Sequence, residues 1–388
     1  MKKAYLLTPG PTPVPEDVLS AMARPIFHHR TPQYQAIFME VHRGLQEVFR
    51  TRQSVHTFAS SGTGAMEAAV ANLLSPGDRA LVIKGGKFGE RFAEICQAYG
   101  IQVTSVEVPY GQAVRPNAVE AALAKDPSIK VVFTTLCETS TGVVHPIESI
   151  AKVVSKTPAV LVVDAISGLL ACPLETDAWG VDVVVVGSQK GLMLPPGLGF
   201  ISVSEKAWNL VEASRSPRYY FDLRFCKKAM AAQDTPFTPP VSLVVGLKAA
   251  LDLILKEGVD AMLARHANLA AATRAAAAAL GLELFAPDAP SEAVTALKSP
   301  AGVDSGKIIK MMRDEYGVSI APGQAEMKGK VFRIAHMGYI QPFDLILGIS
   351  CLEIVLTRLG VPITLGAGVR AVEESLLAAK TEKVGTAK

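Results

Sequence analysis

Charge is scarce in this sequence. Only 19% of its 388 residues are Asp, Glu, Lys or Arg, and the formal net charge is +3. No run of Lys and Arg breaks that balance, which excludes a dedicated nucleic-acid surface, because gripping phosphates requires clustered cations. Long apolar runs are missing too. The most hydrophobic segments, around Val160–Val163 and Val181–Val186, have strand length and fall far short of a bilayer span. Cysteine is limited to Cys96, Cys137, Cys172, Cys226 and Cys351, an odd and scattered set without metal-ligand spacing. That set reads as buried free thiols in a reducing compartment, with neither a disulfide framework nor a metal site. Two lysines at the N-terminus lead into a short apolar stretch that prolines interrupt before a signal-peptide core can form. Val384–Lys388 is no peroxisomal or ER address, so the expected compartment is the cytoplasm. What the chain has in quantity is surface to bury, with 49% hydrophobic residues over a length that allows more than one domain.

Residues 1–15 are rich in proline and read as an extended arm, suited to cross onto a partner subunit. Apolar runs follow at Val55–Ala59, Ala80–Ile83, Val103–Val106, Val131–Thr135, Val160–Val163, Val181–Val186 and Gly199–Val203. Helix-patterned stretches such as Ala65–Leu74 and Phe88–Tyr99 separate several of them. Continuous Val/Ile/Leu runs alternating with helices are what a mostly parallel sheet covered on both faces produces. The pattern carries no strand order. A helical segment after Pro240 runs to Lys256, and Gly258 marks a break. An Ala-rich helix then spans Ala261–Leu280. Strand candidates at Leu282–Phe285, Thr295–Leu297 and Val331–Ala335 alternate with helix candidates at Ser305–Tyr316 and Pro342–Leu359, a smaller α/β domain. The expected organisation is an arm over 1–15, a large ligand-binding domain over 16–257 and a small C-terminal domain over 258–388.

In open parallel α/β sheets, ligands bind beyond the carboxyl ends of the strands, so polar residues just after apolar runs are the candidates. Ser60-Ser-Gly-Thr-Gly64 lies between a run and a helix, where backbone N–H groups can approach an anion. An ordinary strand–helix turn has the same composition. As a dinucleotide fingerprint the motif fails, because Glu67 stands where the third small residue belongs. Asp164 ends Ala159-Val-Leu-Val-Val-Asp164 and either caps a helix or holds a positive charge on a heteroaromatic nitrogen. Lys190, in Gly187-Ser-Gln-Lys190-Gly, is either solvated or desolvated enough to be a neutral nucleophile. The 26 residues from Asp164 to Lys190 leave room for a connection and a neighbouring strand. In the small domain Arg333 interrupts Lys330-Val-Phe-Arg333-Ile-Ala, where it is either in an internal salt bridge or binds a carboxylate through its fork. Arg30, in His28-His29-Arg30-Thr-Pro, reads a second carboxylate or makes a structural ion pair; the His pair has no partner at zinc spacing and reads as packing or as polarity at the mouth of the site.

Ser61-Gly62-Thr63, Asp164 and Lys190, in this order, resemble the fold-type I, class V aminotransferases that depend on pyridoxal phosphate. The likeness runs from Leu7-Thr-Pro-Gly-Pro-Thr-Pro to Val331-Phe-Arg-Ile334 and is greatest to alanine–glyoxylate and serine–glyoxylate (or pyruvate) aminotransferases. It implies that Lys190 holds the cofactor as a Schiff base and shuttles a proton, while Asp164 pairs with the pyridinium nitrogen. It implies that Ser61, Gly62, Thr63 and Gln189 hold the phosphate, that Phe88 stacks on the ring where many relatives carry Trp, and that Thr139 contacts the phenolic oxygen. Arg333 is matched to the substrate α-carboxylate. Thr238 is matched to a phosphate contact made from the partner subunit, which implies a homodimer with shared active sites; Thr at position 235, where mammalian relatives have Tyr, loosens that register. The activity implied is transfer of an amino group from alanine, serine or aspartate to glyoxylate, pyruvate or 2-oxoglutarate. Two alternatives stand beside it. A lyase such as a cysteine desulfurase usually has His before the lysine, where Gln189 stands here, and needs a mobile Cys. A non-catalytic binding protein has no use for the set of Lys190, Asp164 and Arg333.

Overall fold

The computed structural model describes residues 3–385; the first two residues of the arm and the last three of the C-terminal segment lie outside the described residues. The valine-rich runs form a seven-stranded sheet in the order Val55–Phe58, Gly199–Val203, Val183–Gly187, Val160–Asp164, Ile129–Thr135, Arg79–Lys84, Gln102–Glu107. Gly199–Val203 runs antiparallel to both its neighbours, and the other adjacent pairs are parallel. Continuous valine is needed because both faces are buried. Val184 and Val186 enter one core while Val183 and Val185 enter the other, as the two-residue pleat dictates. Helices Pro32–Phe49, Ile147–Val154 and Val241–Glu257 cover the first face; Gly62–Leu73, Lys87–Ala98 and Glu205–Ala213 cover the second.

Two strand expectations shift for identifiable reasons. The run at Val181 becomes strand from Val183; before it, Asp182 N–H donates to Leu161 O (3.2 Å) and the Asp182 carboxylate accepts from Leu161 N–H (2.9 Å) and the Ser204 hydroxyl (2.8 Å). Leu282–Phe285 makes an isolated bridge through Leu284 to Leu297 and forms no strand. Pro287 and Pro290 follow it, and proline cannot donate to a ladder.

The small sheet sets Val331–Ala335 between Val294–Lys298 and Ala321–Pro322, all antiparallel. A separate core of Leu269, Ala276, Ile308, Phe332, Leu345 and Leu352 lies beneath it.

The arm is extended and docks on the small sheet. Tyr5–Leu6 pairs in parallel with Val318–Ser319, Ala335 N–H donates to Leu7 O (2.9 Å), and Leu7 is buried in the small-sheet core of its own chain. These backbone bonds tie the Tyr5–Leu7 part of the arm to the small sheet of its own chain. No helix among the described residues is long and apolar enough to cross a membrane.

Candidate active site

The carboxyl edge of the large sheet gathers the candidate residues. Asp164 is the last residue of its strand and pairs with Val185 of the next, whose chain continues through Gly187 into the turn that carries Lys190. Both side chains are buried. One Asp164 oxygen accepts from Ile166 N–H at 2.8 Å, and Asp164 forms no ion pair within the described residues. Burial pushes its carboxyl up to about 7; the Ile166 N–H opposes the rise and Glu138 adds to it. A buried carboxylate held above its ordinary range asks for a cationic N–H partner, since that removes the desolvation cost. Lys190 moves the other way. Burial brings its amine down to about 8, so a sizeable neutral fraction is present near neutral pH.

Lys190 is also gripped by the arm, which the sequence did not disclose. Its Nζ donates to Pro9 O, Thr12 Oγ1 donates to Lys190 O (3.1 Å), and Thr12 N–H donates to Gln189 O (3.1 Å). Gly10 is required there: a Cβ would lie 2.4 Å from Lys190 Nζ, and its φ is +118°.

Ser61 caps Gly62–Leu73 without a side-chain hydrogen bond, so the first-turn N–H groups of Gly62 and Thr63 face outward at the positive end of the helix. The backbone needs small residues to close up here. A Cβ on Gly62 would meet Ile166 at 2.5 Å, and one on Gly187 would meet Gly62 N at 3.2 Å. Gln189 Oε1 is buried beside them and has no hydrogen-bond partner among the described residues.

Phe88 opens the helix Lys87–Ala98, and its position depends on Glu138, a second residue that sequence reasoning passed over. Glu138 is fully buried, and its carboxylate accepts from the N–H groups of Phe88 and Gly89 (both 3.1 Å) and from the Ser140 hydroxyl. It thereby caps that helix from a distant loop. Its signal was its place directly before Thr139, at the end of an apolar strand. Thr139 donates to Ser167 Oγ, and its carbonyl accepts from Arg333 Nη1 at 2.6 Å.

Arg333 stands opposite Ala296 and Ala321 in the small sheet, and these small neighbours leave room for it. Nε and Nη2 donate to Pro322 O at 3.0 and 2.8 Å. Among the described residues it makes no salt bridge, so the internal ion pair is not its role. Burial lowers its guanidinium to about 10. A buried fork oriented only by carbonyls still carries its full charge, and a carboxylate answers it.

Two candidates lie elsewhere. Arg30 is exposed, pairs with Asp234 and donates to Thr235 O (3.1 Å); of its two readings the structure displays the ion pair. Thr238 is also exposed, in a cavity it lines with Phe58 and Ala59 just before the Ser60–Gly64 turn. All five cysteines are buried, so no mobile thiol of the kind a desulfurase needs is present.

The aminotransferase class-V family model matches residues 4–337. This chain belongs to the class V aminotransferases. It is a pyridoxal-phosphate-dependent transaminase of the fold-type I architecture. It is 40% identical to L-aspartate–glyoxylate aminotransferase of Paracoccus denitrificans, over 95% of each chain. It is 43% identical to a protein named soluble hydrogenase, small subunit, of Synechococcus sp., over 96% of this chain and 98% of that one. Among solved structures, ureidoglycine–glyoxylate aminotransferase from Bacillus subtilis superposes with a TM-score of 0.93 at 28% identity, over 97% of this chain and 98% of that one. The aminotransferase thus has the architecture that its sequence motifs implied.

Proposed function

We propose that this aminotransferase moves the amino group of alanine, serine or aspartate to glyoxylate, pyruvate or 2-oxoglutarate, in two half-reactions at one site. The aspartate–glyoxylate and ureidoglycine–glyoxylate enzymes it resembles favour glyoxylate among these acceptors. The observation that carries the reading is the convergence of Lys190, Asp164 and Arg333, buried groups whose charges find no counter-ion among the described residues. Pyridoxal phosphate, when bound, supplies the carbonyl that accepts the amino group and a cationic ring that withdraws electrons.

The residues divide the remaining work. Asp164 meets the ring nitrogen and keeps a proton on it, which also relieves the cost of its own burial. Ser61, Gly62 and Thr63 hold the phosphate at the helix terminus, with the Gln189 side chain beside them. Phe88 stacks on the ring, held in place by Glu138. Thr139 meets the phenolic oxygen. Arg333 binds the substrate α-carboxylate and so fixes Cα near Lys190. Lys190 would hold the cofactor and move the substrate Cα proton, for which its lowered basicity suits it near neutral pH. Thr238 serves the phosphate of the other subunit in a homodimer; its exposure within the single chain accords with that role.

The test is a set of half-reactions. Each amino acid is mixed with the pyridoxal form alone, and conversion to the pyridoxamine form is followed spectrally. At least one of alanine, serine or aspartate should convert it, and glyoxylate should reverse the change. No conversion by any amino acid would end the proposal. A dilution series of the same assay tests the dimer, which full activity in monomers would contradict.

A further inference from the structure

Arg91 follows Phe88 by three residues on the helix Lys87–Ala98, so the two project from neighbouring points on one face. Its guanidinium carbon lies 4.9 Å from the centroid of the Phe88 ring. Its Nη1 donates to Thr63 Oγ1 across 3.2 Å. Arg91 therefore touches both halves of the cofactor cradle proposed above, the stacking ring and the phosphate terminus.

Three features say what it does there. Arg91 is half-buried and forms no ion pair among the described residues, and the nearby Glu90 is already engaged by Lys87 and Tyr110. A guanidinium has five N–H donors, and Thr63 takes one of them. The bond also has a direction. Because Thr63 Oγ1 accepts from Arg91, its own hydrogen is free to point away from Arg91, towards an anion at the helix terminus. Finally, the terminus offers only dipoles, from open N–H groups and a Ser61 that makes no capping bond. The nearby lysine is partly neutral and is reserved for the carbonyl end of the cofactor. A phosphate dianion is better held where a fixed positive charge accompanies the dipoles.

We propose that Arg91 is a positioning residue for the phosphate: it orients the Thr63 hydroxyl as a donor and places a permanent positive charge beside the helix terminus. The inference rests on the pyridoxal-phosphate reading of the site. It adds a residue that neither the glycine-rich motif nor the lysine motif contains.

The experiment uses apoprotein and two ligands that form no covalent bond with Lys190, pyridoxamine 5′-phosphate and pyridoxamine, with affinity read by fluorescence or calorimetry. Arg91→Met keeps the aliphatic stem and loses every donor. It should weaken pyridoxamine 5′-phosphate by roughly ten- to a hundredfold, the scale of a charge-assisted hydrogen bond. Pyridoxamine should bind within about twofold of wild type, as the lost interaction involves only the phosphate. Arg91→Lys should recover part of the loss. In a Thr63→Val background Arg91→Met should cost less than it does alone, since both changes remove one shared bond. Unchanged affinity for the phosphorylated ligand would overturn the proposal. So would equal weakening of both ligands, which would assign Arg91 to the Phe88 stack or to the fold, or full additivity with Thr63→Val. If wild-type apoprotein binds neither ligand, the cofactor reading itself fails, and that outcome is visible before any variant is made.

Discussion

Asp164→Ala should leave a folded protein that still takes up pyridoxal phosphate yet removes the substrate Cα proton slower by roughly 10²–10³-fold, the usual cost of deleting one preorganised electrostatic partner of a transition state. The carboxylate is buried at the end of the central sheet, where it accepts a hydrogen bond from Ile166 N–H, and burial raises it to about 7. Such a group stabilises a cation placed against it far more strongly than an exposed carboxylate would. Alanine removes that stabilisation from the step in which negative charge develops at Cα. Folding should not suffer, because the substitution deletes a buried carboxyl that forms no ion pair among the described residues. Single-turnover absorbance with an active amino donor checks it. Near-normal turnover with cofactor bound would remove Asp164 from the mechanism.

Arg333→Lys should lower kcat/KM for both the amino donor and the 2-oxo acid by roughly ten- to a hundredfold. The guanidinium is set by Pro322 O on one side and Thr139 O on the other. Lysine keeps the charge but cannot span the two carbonyls and still present a planar pair of donors to a carboxylate. Each charge-assisted bond lost is worth roughly 1.5–3 kcal/mol, and 1.4 kcal/mol is tenfold. Both half-reactions should suffer alike because both substrates present their α-carboxylates to the same fork. Affinity for the cofactor should not change, as Arg333 comes from the small sheet and the phosphate terminus from the large one. Loss of cofactor in this variant, or normal kcat/KM with both substrates, would reassign Arg333 to structure.

What could be read in advance follows from where the information is local. The five inner strands of the large sheet were legible because burial on both faces demands near-continuous apolar residues, and Val331–Ala335 and Ser305–Tyr316 match their expected bounds. Asp164 and Lys190 were legible because each directly follows such a run. Strand order, and the reversal at Gly199–Val203, are tertiary facts with no local signature. The same holds for the arm. Its prolines suggested an extended segment, but its bonds to Val318–Ser319 and to the Lys190 turn join residues more than a hundred positions apart. Glu138 and Arg91 were passed over because a lone charged residue near an apolar run usually faces solvent. Only the fold shows Glu138 capping a helix from another loop, and Arg91 bridging a ring and a hydroxyl.

We propose that Lys190 is the residue to which the cofactor is joined. It is tested by borohydride reduction of the pyridoxal-phosphate-loaded enzyme, followed by proteolysis and mass mapping. One labelled peptide is expected, carrying the reduced cofactor on Lys190. A label on any other lysine, or none on a fully loaded enzyme, would contradict it.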